Sequence, residues 1–172
     1  MKTNRSINAI VLTAVLAVLL SLPSCSSPLP VEGKWTVSTE EEQTGMTLSG
    51  TRTYTFTPTG RKNGTVVFSI KGKGIIDGFG EMSFNFSSPG AYTLEKDRIL
   101  IDNDTTAFAV NTAFHPTSFI GLLSSEHIEE ARIELEKSLT PEPTDTLFNV
   151  VIKDGKMSLT NKGEKLEFSK SE

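Results

Sequence analysis

Cysteine is almost absent from this chain: Cys25 is the only one among 172 residues, so no internal disulfide can form and no thiolate cluster can hold a metal. Histidine is nearly as scarce, with His115 and His127 twelve residues apart. No metal site and no cofactor is therefore expected. Basic charge is in deficit, 17 Lys and Arg against 21 Asp and Glu. The nearest approach to a basic stripe, Arg61, Lys62, Lys71 and Lys73, is spread over expected turns and strand ends, which disfavours nucleic acid as a partner. A Gly-x-Ser-x-Gly nucleophile motif is also missing. Gly72-Lys73-Gly74 and Gly78-Phe79-Gly80 are not followed by a helix start, so they read as bends or bulges in long strands and not as phosphate loops. Glu40-Glu41-Glu42 reads as a solvated turn; Asp102 and Asp104 are spaced so that they could approach a calcium ion, but two acids at a strand end read first as simply exposed. Nothing in these residues assembles a catalytic constellation, and the chain is expected not to be an enzyme.

The longest apolar stretch, Ala9 through Leu20, is broken only by Thr13 and is about 12 residues long. A bilayer-spanning helix needs roughly 20. With Lys2 and Arg5 before it and small residues after it, this is the layout of a secretory signal. Leu22-Pro23-Ser24-Cys25 follows directly. Here the chain resembles bacterial lipoprotein precursors, whose lipobox sets Leu three places before, and a small residue just before, the cysteine that is lipidated and becomes the new N-terminus. Leu22, Ser24 and Cys25 match that pattern, while Pro23 is a less usual occupant. The resemblance implies removal of residues 1–24 and a multiply acylated, non-exchanging membrane anchor on Cys25, since one acyl chain alone binds only marginally. Residues 25–30 then form a short Ser/Pro tether that holds the fold within roughly 15 to 35 Å of the membrane. The tail has neither the Asp nor the acidic cluster that in this family marks other destinations. By the same resemblance the expected address is the outer membrane of a bacterial envelope, facing the periplasm.

The expected mature chain keeps 15 basic and 21 acidic side chains, and its length suits one domain over residues 31–172 without disulfide staples. From Val31 onward the dominant period is two. Tyr54 and Phe56 alternate with Thr53, Thr55 and Thr57; Val66, Phe68 and Ile70 alternate with Val67, Ser69 and Lys71; Met82, Phe84 and Phe86 alternate with Glu81, Ser83, Asn85 and Ser87. Further runs are expected at Gly33 to Val37, Met46 to Leu48, Tyr92 to Leu94, Arg98 to Ile101, Ala107 to Phe114, Leu147 to Ile152, Lys156 to Leu159 and Lys165 to Phe168. Asn63-Gly64, Asp154-Gly155 and Asn161-Lys162-Gly163 supply turn chemistry between them. Eight to ten short antiparallel strands argue for a mainly β barrel or sandwich. One segment breaks the period: Ile128, Ala131, Leu135 and Leu139 recur at helical spacing between Ser124 and Pro141, which predicts one inserted amphipathic helix of about four turns. It is expected to cover one end or side of the barrel, with a lid over a cavity as the sharper alternative.

Gly33-Lys34-Trp35 opening the first strand resembles the Gly-x-Trp signature of lipocalins and of the lipocalin-like domains of bacterial lipoproteins. The order of features strengthens it: signal, Cys25, tether, the Gly-x-Trp strand, Tyr54-Thr55-Phe56-Thr57-Pro58-Thr59-Gly60, and a closing hairpin ending at Glu167-Phe168. The resemblance implies a lipocalin-like barrel of about eight antiparallel strands, in which a basic side chain crosses the tryptophan; Lys165 and Lys170 are the two available for that place. The chain departs from the family in placing its helix before the last hairpin and in lacking a tyrosine beside Thr144-Asp145. A barrel of this size either fills with its own side chains or holds one small apolar ligand. Trp35, Tyr54, Phe56, Phe68, Met82, Phe84, Phe86 and Phe108 are the candidate residues for lining such a cavity, and equally for filling it. A small hydrophobic molecule or lipid is thus one expected partner, and another envelope protein docked on a filled barrel is the alternative. Asp104-Thr105-Thr106 and Asp145-Thr146-Leu147 each resemble the acceptor pattern for O-glycosylation in exported proteins of some Gram-negative bacteria.

Overall fold

The computed structural model describes residues 30–43, 46–76, 80–116 and 125–171. The expected signal, Cys25 and most of the tether lie outside them.

Nine strands follow one another: β1 (Gly33–Gln43), β2 (Met46–Pro58), β3 (Asn63–Ile76), β4 (Gly80–Leu94), β5 (Ile99–Asn103), β6 (Ala109–Pro116), β7 (Thr144–Lys153), β8 (Lys156–Asn161) and β9 (Glu164–Ser171). Every pairing is antiparallel, and nearly every strand pairs with its neighbours in sequence. β9 returns to β1 through Lys34↔Ser171, Trp35↔Lys170 and Thr36↔Ser169, which closes the sheet. β5 and β6 lie end to end along one edge of β4, against Gly90 to Leu94 and Gly80 to Ser87 respectively. Together they act as one interrupted strand, so the fold is a closed, antiparallel, eight-stranded up-and-down barrel.

The local chemistry explains the short connections. Asp154 (φ 51°) and Gly155 (φ 72°) both take the left-handed region, the requirement of a type I′ hairpin turn, and Lys162 (φ 45°) with Gly163 (φ 85°) does the same between β8 and β9. Asn63-Gly64 does not behave as expected. The turn before it is closed by the Thr59 and Gly60 N–H groups, both donating to the Asn63 carbonyl at 3.1 Å, and Gly64 pairs with Pro58 inside the ladder. The turn thus falls four residues earlier, where Pro58 ends β2. The expected short runs at Met46 to Leu48 and Tyr92 to Leu94 are ends of the long strands β2 and β4. Likewise Glu40-Glu41-Glu42 is no turn but the distal part of β1, opposite Leu48 on β2. Nor does Gly72-Lys73-Gly74 make a bulge: β3 pairs without interruption on both sides. Among the described residues, the one register shift sits in β7 between Phe148 and Val151, where Asn149 has φ 52°.

Alternation places one face of each strand inside. At the end formed by the start of β1 and the end of β2, the interior is solid: Trp35, Phe56, Ile99, Leu147, Met157, Leu159 and Phe168 are all 1% exposed or less. Trp35 donates its Nε1–H to the Val31 carbonyl at 2.7 Å, so its polar atom is satisfied within the core. The link from β6 to β7 carries the stretch Ser125–Leu139, whose backbone is helical, here α1. The side chains of Ile128, Ala131 and Leu135, on which the expected apolar stripe depends, lie outside the described residues.

Candidate functional site: the mouth of the barrel

Above the solid end, the barrel holds a cavity of about 220 Å³. Its floor is aromatic and aliphatic: Tyr54 from β2, Phe68 and Ile70 from β3, Phe86 from β4 and Ile101 from β5. Tyr54 and Phe68 stack at 4.7 Å between centroids, and Phe68 meets Phe86 edge-on at 5.9 Å. The rings form one continuous surface because all three sit on inward positions of adjacent strands, with Tyr54 directly opposite Phe68 in the ladder.

The rim is polar. Two residues along from an inward apolar side chain, several strands present a charged or amide side chain. Arg52 precedes Tyr54 on β2, Asp145 precedes Leu147 on β7, and Asn161 follows Leu159 on β8. Arg52 Nη1 bridges to Glu164 Oε2 at 2.7 Å. Asn161 Nδ2 donates to both Asp145 carboxylate oxygens at 3.0 Å, and the Thr146 N–H adds a bond to Oδ1 at 2.7 Å. Among the described residues no Lys or Arg lies within ion-pair distance of Asp145.

One wall is the segment Leu139, Thr140, Pro141 and Glu142, at the junction between α1 and β7. Glu142 holds it at two points: its carbonyl accepts from Asn103 Nδ2 at 2.8 Å, and its carboxylate accepts from Lys162 Nζ at 2.7 Å. The Asn103 N–H adds a bond to the Pro143 carbonyl at 2.8 Å. This strap is therefore fastened to β5 on one side and to the β8–β9 turn on the other. The hydrogen bond from Lys162 draws the Glu142 carboxyl below the usual carboxylate range and lifts the Lys162 ammonium above its ordinary value. Burial, helped by the negative charge of Asp145 and opposed by Arg52, raises the Tyr54 phenol well above 10. Tyr54 therefore stays neutral at any ordinary pH.

The eight residues that the sequence nominated are divided among several places. Tyr54, Phe68 and Phe86 line the cavity. Trp35 and Phe56 are buried below it, in the solid end. Met82 is buried farther along β4, outside the main core cluster. Phe84 is half-buried and its ring lies across Gly72, its ladder partner; a Cβ on Gly72 would come within 2.8 Å of the Phe84 Cζ. Phe108 is half-buried in the turn between β5 and β6. The rim residues Arg52, Asn103, Asp145, Asn161 and Lys162 were not nominated. The period-two pattern already placed Arg52, Asp145 and Asn161 on the inner face, and that was the available signal.

Asp104-Thr105-Thr106 forms an exposed turn, in which Asp104 Oδ1 accepts from the Thr106 N–H at 3.0 Å and from its hydroxyl at 2.7 Å. Thr146, by contrast, is half-buried within β7. Among the described residues no three His, Cys, Asp or Glu side chains converge on a metal-sized site. A larger hollow, about 690 Å³, lies on the outer face of β1 to β4 between Ser38, Ser49, Lys71 and Ser83, but it is a shallow surface open to solvent.

No protein-family model matches the chain, and comparison with the curated proteins gives no match either.

Proposed function

We propose that this chain is a lipid-anchored lipoprotein of the bacterial cell envelope whose lipocalin-like barrel binds a small hydrophobic molecule or lipid end at its mouth. The observation that carries the reading is the cavity at the barrel mouth, with an aromatic floor and a polar rim, the usual make-up of a small-molecule site. At about 220 Å³ it is smaller than the ~300–1,000 Å³ that drug-sized ligands occupy, which favours a fragment-sized compound or one end of a longer amphiphile. The lipocalin-like reading draws support from the up-and-down strand order and from Lys170, whose Nζ sits 5.5 Å over the Trp35 ring in the place where that family packs a basic side chain. The inserted helix fits as a cover that delivers the strap to the mouth, with Leu139 on the cavity wall. The anchor rests on Leu22, Ser24 and Cys25, and with it the address at the outer membrane facing the periplasm. A binding role without catalysis agrees with a rim whose carboxylates are engaged by Arg52, Lys162 and Asn161.

The alternative is a protein-interaction module of the envelope. It is favoured by Phe148 and Val151, 44% and 58% exposed at the β7 bulge, where an apolar pair on the outer wall could meet another protein.

Mass spectrometry of solvent extracts from the purified full chain tests the binding role. A reproducible small apolar compound in stoichiometric amount supports it. An empty barrel, unmoved in thermal stability by every small amphiphile tried, transfers the weight to the interaction module; a true ligand at a hundredfold excess over its Kd stabilises by about 2.7 kcal/mol. Replacement of Cys25 by Ala tests the anchor, and unchanged membrane fractionation of that variant would refute it.

A further inference from the structure

Both cations at the barrel mouth are already matched. Arg52 faces Glu164 at 2.7 Å and Lys162 faces Glu142 at 2.7 Å. Asp145 is the carboxylate without a cation bonded to it: its hydrogen-bond partners are the Asn161 amide and the Thr146 N–H, and it feels the Lys162 charge only at longer range, so these five groups sum to one net negative charge. Its oxygens are also unevenly used. Oδ1 accepts two bonds and Oδ2 one, and a carboxylate offers about four acceptor sites in all. Asn103 and Asn161 each spend Nδ2 on a partner within the protein, which leaves their carbonyl oxygens as further acceptors on the same wall. The mouth therefore has spare acceptors and a surplus negative charge above three contiguous aromatic rings.

Resting on the reading of this cavity as a ligand site, we infer that it selects an amphiphile with an amine head, the ammonium lying beside Asp145 at the rim and the apolar part on the aromatic floor of Tyr54, Phe68 and Phe86. An ammonium brings only donors, and the three it has find Asp145 Oδ2 and the amide carbonyls. A carboxylate head, having only acceptors, meets Asp145 as a like charge and finds Arg52 and Lys162 occupied. The long-chain fatty acid is thus the wrong head group for this mouth, whatever its tail.

The test is a calorimetric titration of the full chain with three compounds of the same eight-carbon skeleton that differ in the head: phenethylamine, 2-phenylethanol and phenylacetate. The expected order is amine tightest, by about tenfold over the alcohol, with the carboxylate weakest. In Asp145→Asn, which keeps the size but removes the charge, the amine should lose its advantage over the alcohol. Equal or tighter binding of the carboxylate overturns the inference and leaves the cavity as a ligand site. An amine preference that survives Asp145→Asn overturns the role of Asp145. Failure of all three compounds to bind at millimolar concentration overturns both the inference and the ligand-site reading beneath it. Circular dichroism of Asp145→Asn, expected to match the parent, separates a lost preference from a lost fold.

Discussion

Lys170 Nζ lies 5.5 Å from the centroid of the Trp35 ring, across the junction where β9 closes onto β1. Gly33 makes room for it: a Cβ there would stand 2.9 Å from the Lys170 Cε, and the residue has φ +109°. The glycine, the tryptophan and the lysine form one unit at the barrel seam, in which the charge stays exposed while the stem crosses the edge of the core. Replacing Gly33 by Ala both strains the backbone and pushes the lysine stem off the ring. We expect a loss of about 1–3 kcal/mol in urea unfolding. Lys170→Met, which keeps the stem, should cost under about 1 kcal/mol. If Gly33→Ala proves neutral, the seam is not held in this way.

Ser88 is 1% exposed, and its hydroxyl has no hydrogen-bond partner among the described residues. It sits inward on β4 opposite Phe68. A buried hydroxyl without a partner costs about 1–3 kcal/mol, while Ala fills nearly the same space. Ser88→Ala should therefore stabilise the protein by about 1 kcal/mol, visible as a higher urea midpoint at unchanged slope. A destabilised variant would mean that the hydroxyl has found a partner.

Burial raises the phenols of both tyrosines, Tyr54 with help from Asp145 and Tyr92 with help from Glu32. Above pH ~10 the unfolded chain releases these protons and the folded chain retains them. Stability from this source is complete below pH ~10 and is lost as pH rises beyond it. The near-ultraviolet tyrosinate signal should accordingly stay silent above pH ~10 until the barrel unfolds, and Tyr54→Phe should flatten the alkaline fall in stability. Gradual ionisation in a folded barrel would contradict the burial of the rings.

Glu142 ties the strap to Asn103 through its carbonyl and to Lys162 through its carboxylate. Both side chains of the ion pair are about two-thirds exposed, so Glu142→Ala should change global stability by less than about 1 kcal/mol. Its local effect should be larger. The Asn103 amide, bonded to the Pro143 carbonyl, should exchange its hydrogen faster in the variant than in the parent. Equal rates would show that the carboxylate contact does not hold the strap.

How far the sequence reveals this protein differs from element to element. Tyr54 and Phe56, or Met157 and Leu159, declare their strands and their inner faces by alternation alone, and Asp154-Gly155 declares its turn, because side-chain direction and left-handed φ are local properties. Asn63-Gly64 was misleading for the same reason. The dipeptide suits a turn, but the pairing of thirteen successive residues of β2 with β3 decided where the turn falls. Gly72 looked like a bend because a missing side chain looks the same whether the chain turns or a Phe ring needs the space. Lys170 was one of two candidates for the contact with Trp35, and the β9–β1 register selected it.

The sequence by itself determined that the chain is strand-rich, closes tight turns at Asp154-Gly155 and Lys162-Gly163, and carries Arg52, Asp145 and Asn161 on faces otherwise apolar. Only the tertiary structure decided that these polar groups form one rim. Arg52 and Glu164 are 112 residues apart, and Asn103 and Glu142 are 39 apart. Alternation assigns a residue to a face but says nothing of its height in the barrel, which is set by strand register and by the closure of β9 on β1. Whether the interior is filled or hollow follows from the same stagger. It gathers the largest side chains at the Trp35 end and leaves the space at the other.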